Sequence, residues 1–165
     1  MASALFPFFV HRADRPWFIA FAVIALAEMV LLFLAGFETA GGHFMLPLDD
    51  SYIHLQYAKQ LAAGAPLSYG PGMAPSGGMT SPAYSLLLTP VFWLGIEGAK
   101  GAFVAFLFGA ALWMLLPVWV AQLAGRLANR ACGRIAGLLC LANGHLLWNF
   151  LSGMETALFA VLLVG

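Results

Sequence analysis

Charge is what this chain has least of. Its 165 residues include seven Lys or Arg and seven Asp or Glu, so only 8% are charged and the formal net charge is zero. A soluble domain carries about 25% charged residues. So little charge excludes a disordered chain and a nucleic-acid partner held by phosphate contacts. Two cysteines are too few for a disulfide scaffold. Cys132 and Cys140 also stand in or beside an apolar stretch with no zinc-ligand spacing. No internal repeat or low-complexity tract stands out, and Gly70-Pro71-Gly72 and Gly77-Gly78 read as turns rather than a phosphate cradle. Ser76 and Ser81 have no histidine in a triad arrangement. In contrast, 62% of the residues are hydrophobic and the mean hydropathy is +0.91. These values describe an all-α integral membrane protein.

The first apolar run, residues 17–37, covers about 30 Å as a helix, the thickness of the hydrocarbon core. Arg12 and Arg15 precede it and no A-x-A-like site follows, so it reads as a retained signal-anchor. Residues 38–101 form a long loop richer in polar residues, Gly and Pro, with two helices expected inside it. The first covers about 51–63: Ile53, Tyr57 and Leu61 recur at helical spacing, Asp50 stands at the N-cap and Gly64 at C′. The second covers 82–95, about 21 Å as a helix and too short to cross. Residues 64–81 read as loop. Further spans are expected at 102–124, at 135–151 and at 156–165, the last cut off by the end of the sequence.

Charge sets the expected topology. With 82–95 not spanning, Arg12, Arg15, Arg126, Arg130 and Arg134 all fall on the cytoplasmic side. Asp49, Asp50 and Glu155 then emerge together on the outer face, although they are far apart in sequence.

Paired carboxylates raise one another's pKa, which suits a base or a cation site, so Asp49 and Asp50 are the leading catalytic candidates. Asp50 is also a natural N-cap. Glu155 opens the last apolar run, where a helix dipole favours negative charge, and it could share a divalent cation or a substrate with the Asp pair. His54 lies one turn after Asp50 on roughly the same face, and Lys59 is placed to meet a lipid phosphate or to snorkel. Glu28, in the middle of the first span, reads as a residue hydrogen-bonded across a helix interface. Asn143, His145 and Asn149 are expected to bond between helices. Tyr52, Tyr57, Tyr69, Trp93 and Trp148 are expected to anchor at the membrane interface.

Three segments resemble signatures of GT-C class membrane glycosyltransferases. The segment from Asp49-Asp50-Ser51-Tyr52-Ile53-His54 to Gly64 is similar to DDAYISFRYARNLAxG. Thr80-Ser81-Pro82-Ala83-Tyr84 with the leucines that follow resembles TSPLWxLLL, and Ser152-Gly153-Met154-Glu155-Thr156-Ala157-Leu158-Phe159 resembles SGLETALF. The resemblance implies a GT-C-like N-terminal helix module that takes a polyprenyl-phosphate sugar as donor and works outside the cytoplasm, in a bacterial inner membrane. It implies Asp50 as the catalytic carboxylate with Asp49 as companion, and puts Glu155 where some relatives carry an acidic cation-binding motif; Glu155, His54 and Lys59 are the candidates for substrate contact. A divalent cation, Mg or Mn, would be held by Asp49, Asp50 and Glu155 where one is used. The family's short helix along the membrane corresponds to 82–95. Gln56 stands where the family often has Arg, so its phosphate contacts are not carried over. Family members have many more spans, so the expected partners are membrane lipids, the lipid-linked donor, and the remaining spans of a longer chain or a partner subunit. Two other readings stand beside this one. One is a non-catalytic assembly protein whose outer loop binds a partner. The other is a transporter fragment with Glu28 on an ion path, which would be expected to show broken helices and internal symmetry.

Overall fold

A computed structural model describes residues 14–165; Arg12, used in the charge argument, lies outside the described residues. Among the described residues the chain is all α-helical, with no strand. The helices are α1 (Arg15–Thr39), α2 (Asp49–Ala62), α3 (Pro82–Trp93), α4 (Ala99–Leu127), α5 (Arg130–Leu141), α6 (Gly144–Leu151) and α7 (Thr156–Val164).

Two of these, α1 and α4, are long and apolar enough to cross a membrane. Both are apolar around most of their circumference, the pattern of a helix surrounded by hydrocarbon. Ile19, Val23, Leu26, Leu31 and Leu34 of α1 remain exposed. An apolar surface of that extent is stable against lipid rather than water. The opposite side of α1 buries Phe21, Ala25 and Met29 against α4 and α5.

The α4–α5 hairpin packs tightly through small residues. A Cβ on Gly133 would lie 2.5 Å from the Ala121 carbonyl oxygen, and one on Gly137 would meet the Phe21 ring at 2.6 Å. Close approach of this kind is how helices gain contact in a membrane, where burial from water supplies no driving force. Arg134 ties the hairpin to the start of α1: its Nη2 donates to Asp14 Oδ1 at 3.2 Å, and its guanidinium lies 5.3 Å from the Trp17 ring centre. The beginning of α1 and the arginine hinge therefore share one end of the molecule, as the charge argument expects.

The run 135–151, read from sequence as one span, is divided. Helix α5 starts earlier, at Arg130, because the Asn129 side chain caps it by accepting from the Cys132 amide. It ends at Leu141, and Asn143 starts α6 by accepting from the Leu146 amide. A capping side chain satisfies amides that a continuous helix would have bonded internally, so Asn143 marks a boundary. Helices α6 and α7 meet at a bend of 118° across residues 152–155. Asn143 and Asn149 do not bond between helices as expected: Asn143 caps α6, and Asn149 Nδ2 donates to the His145 carbonyl one turn back.

Helix α3 is short, as expected, and packs on α2 through Tyr84 and Leu88 against Leu55 and Ala58. Helix α2 ends at the anticipated glycine: Gly64 has φ +76°, its amide reaches Leu61 O at 3.0 Å, and the Ala65 amide reaches Gln60 O at 2.9 Å. These two bonds close a Schellman cap, which requires the left-handed conformation glycine adopts freely. The start of α2 differs from expectation. Leu48 is the N-cap, and Asp49 and Asp50 occupy the first turn with no side-chain cap bond. There they complement the positive end of the helix dipole instead. The buried face of α2 also differs. It runs through Ser51, His54, Leu55 and Ala58, so a serine and a histidine are buried while Ile53 and Leu61 are only half-buried.

Candidate functional site

The site is assembled where α2, α3 and the 152–155 turn meet. Ser51 Oγ, fully buried, donates to the Ser152 carbonyl oxygen at 2.6 Å. Tyr84 Oη of α3 donates to the Gly153 carbonyl oxygen at 3.0 Å. Gly153 adopts φ +80°, and a Cβ there would press on Leu46 at 2.7 Å, so the turn depends on glycine. The next acidic side chain is delivered directly to α2: Glu155 Oε2 lies 2.8 Å from His54 Nε2.

His54 is 1% exposed, with its ring edge-on to Tyr84 at a centroid distance of 5.4 Å. Its Nδ1 has no hydrogen-bond partner among the described residues. The Glu155 side chain is 29% exposed and forms part of the wall of a cleft of about 440 Å³. Thr80, Ser81 and Thr156 give this cleft a polar lip, while Leu158, Phe159 and Leu162 give it an apolar wall. Tyr84, 1% exposed, lines it as well; burial foremost, and the nearby Glu155 charge, push its phenol above the ordinary value.

The sequence candidates separate on this geometry. His54 and Glu155 are brought together. Asp49 and Asp50 are exposed in the first turn of α2, with no partner among the described residues, and do not line the cleft. Asp50 still stands one turn before His54 on the same helix face. Lys59 projects from a different face and pairs with Glu97 at 2.7 Å in a surface ion pair. Among the described residues no three His, Cys, Asp or Glu side chains are gathered to hold a metal ion.

Glu28 meets the expectation of a bond across helices, its Oε2 accepting from Trp113 Nε1 at 3.2 Å. Tyr57 does not serve as an interfacial anchor. It is buried under the 64–81 loop, where its hydroxyl lies 2.6 Å from Ser76 Oγ. Sequence reasoning passed over Ser51, Tyr84, Ser152 and Gly153, which hold the site together. The signal for Tyr84 and Ser152 was their place inside the second and third matched segments. Glu97 carried no signal.

No protein-family model, curated protein or solved structure matches this chain.

Proposed function

We propose that the chain acts as a glycosyltransferase that moves a sugar from a polyprenyl-phosphate donor to an acceptor hydroxyl on the outer face of the membrane. One observation supports the reading above others. The three segments that resemble glycosyltransferase signatures, at 49–64, 80–88 and 152–159, lie far apart in sequence and meet at one place through Ser51, Tyr84, His54 and Glu155. A cleft with a polar lip and an apolar wall suits an acceptor that is part sugar and part lipid.

In this mechanism Asp50 is the general base. It takes the proton of the acceptor hydroxyl as that oxygen bonds to the sugar's anomeric carbon. The bond from that carbon to the donor phosphate breaks, and the electron pair leaves with the phosphate. A positioned base contributes about 10²–10⁴ in rate. The bilayer confines the donor to two dimensions and brings its reactive end to the headgroup plane.

The test is transfer of radiolabelled sugar from a polyprenyl-phosphate donor by membranes carrying the protein. Asp50→Ala is expected to lower transfer by about 100-fold or more at unchanged expression. Retained transfer by a well-expressed Asp50→Ala protein rejects the base assignment. The same assay with EDTA reads whether Mg or Mn takes part.

The 118° bend between α6 and α7 favours one feature of the transporter reading, a broken helix. Ion flux in liposomes that disappears in Glu28→Gln is the result that reading requires.

A further inference from the structure

We propose that the cleft behind the 152–155 turn is a subsite for a neutral sugar ring carried on an apolar tail. Glu155 is the group that contacts its hydroxyls, and His54 is the positioning residue that aims Glu155. This deepens the transferase reading and rests on it.

The chemistry of the lining selects the ligand. Among the described residues Glu155 is the only charged one in the wall, and no lysine or arginine lines the cleft. An anionic headgroup would face a carboxylate there with nothing to offset the repulsion, so the phosphate of a lipid donor belongs outside this cleft. Sugar hydroxyls fit instead, because a carboxylate accepts hydrogen bonds from them and Thr80, Ser81 and Thr156 can both donate and accept. Leu158, Phe159 and Leu162 offer the adjoining apolar surface to a tail.

His54 cannot itself touch this ligand, being 1% exposed. Its Nε2 faces the Glu155 carboxylate at 2.8 Å, an ion-pair distance that keeps the buried Oε2 beside the imidazole. With Nδ1 left unpartnered, Glu155 is the one polar group that the imidazole engages among the described residues. The other groups around the ring act on its orientation. The Tyr84 ring packs edge-on against it from α3, and Asp50 stands one turn earlier on α2, open to solvent. The backbone that carries Glu155 is fixed from both sides, by Ser51 on Ser152 and by Tyr84 on Gly153. A long, flexible acidic side chain is thereby held in one direction, so it spends less rotational freedom on binding.

The experiment places protein with ¹⁵N-labelled histidine in lipid nanodiscs, with His54 assigned by substitution. The probes are octyl glucoside, kept below its micelle concentration, and octyl phosphate. The His54 Nε2 resonance is expected to shift saturably with octyl glucoside, to ignore octyl phosphate, and to move in Glu155→Gln before any ligand is added. An unmoved Nε2 resonance in Glu155→Gln overturns the His54–Glu155 pairing. Octyl phosphate binding as well as octyl glucoside, or neither binding, overturns the sugar subsite. In the transfer assay His54→Leu is expected to lose about 100-fold in kcat/KM through misplacement of Glu155, and His54→Gln, which keeps a donor toward Glu155, to recover most of it. Equal loss in both variants overturns the positioning role. Octyl glucoside binding without any transfer by the unaltered protein would leave this subsite standing while defeating the transferase reading.

Discussion

The two ends of the molecule are held together by different forces. Around the arginine hinge, α4 and α5 touch through glycines and alanines, and the contacts are between backbones. Around the 152–155 turn, α2 and α3 reach across with side chains, and the contacts are hydrogen bonds from buried hydroxyls to carbonyl oxygens. The first arrangement suits helices that only need to pack in lipid. The second specifies direction, and a site needs direction because its functional groups must be aimed. The bundle acts as a scaffold, and the polar seam aims Glu155.

The comparison can be broken most readily at Gly133. A Cβ there would lie 2.5 Å from the carbonyl oxygen of Ala121, a backbone atom that no rotamer change can move aside. Gly133→Val is expected to destabilise by about 3 kcal/mol, read by thermal or detergent unfolding. A mild effect would mean that the backbone contact is not what holds α4 against α5.

Ser51→Ala probes the other end. It leaves the buried Ser152 carbonyl oxygen short of a donor and is expected to cost about 1–3 kcal/mol. Its effect on sugar-probe binding should exceed that of Gly133→Ala, because it frees the turn that carries Glu155. Equal effects of the two on binding would erase the distinction between scaffold and seam.

Tyr84 sharpens the contrast by pH. Burial and the Glu155 charge raise its folded-state value above the unfolded phenol value of about 10. The stabilisation from the protonated phenol is therefore complete below that value and is lost as pH rises above it. Tyrosinate absorbance during an alkaline titration should show Tyr84 ionising late, and earlier in Glu155→Gln. Lys59→Ala is the smallest change. Its pair with Glu97 is exposed at both partners, 42% and 56%, so an unfolding shift of about 0–1 kcal/mol is expected.

Parts of this arrangement were legible in the chain itself. Gly64 closing α2, the insufficient length of α3, and the common end shared by α1 and the arginine hinge all follow from local rules of capping, helical rise and charge placement. The division of 135–151 was less legible, because hydropathy runs on through Asn143 and only a cap bond shows that it starts a helix. The buried face of α2 was misread for a related reason. Periodicity weighs Ile53 and Leu61 as apolar, but α2 packs against a polar turn, which takes Ser51 and His54 instead.

Composition and run length alone made this a helical membrane protein with a polar segment after its first span, because the price of placing charge and open backbone in hydrocarbon leaves few other solutions. Only the tertiary structure decided that His54 would meet Glu155 while Asp49 and Asp50 stay open and Lys59 turns to Glu97. The reason is that local rules act over a few residues, whereas a turn's position against a helix a hundred residues earlier in the sequence is set by how every intervening helix packs.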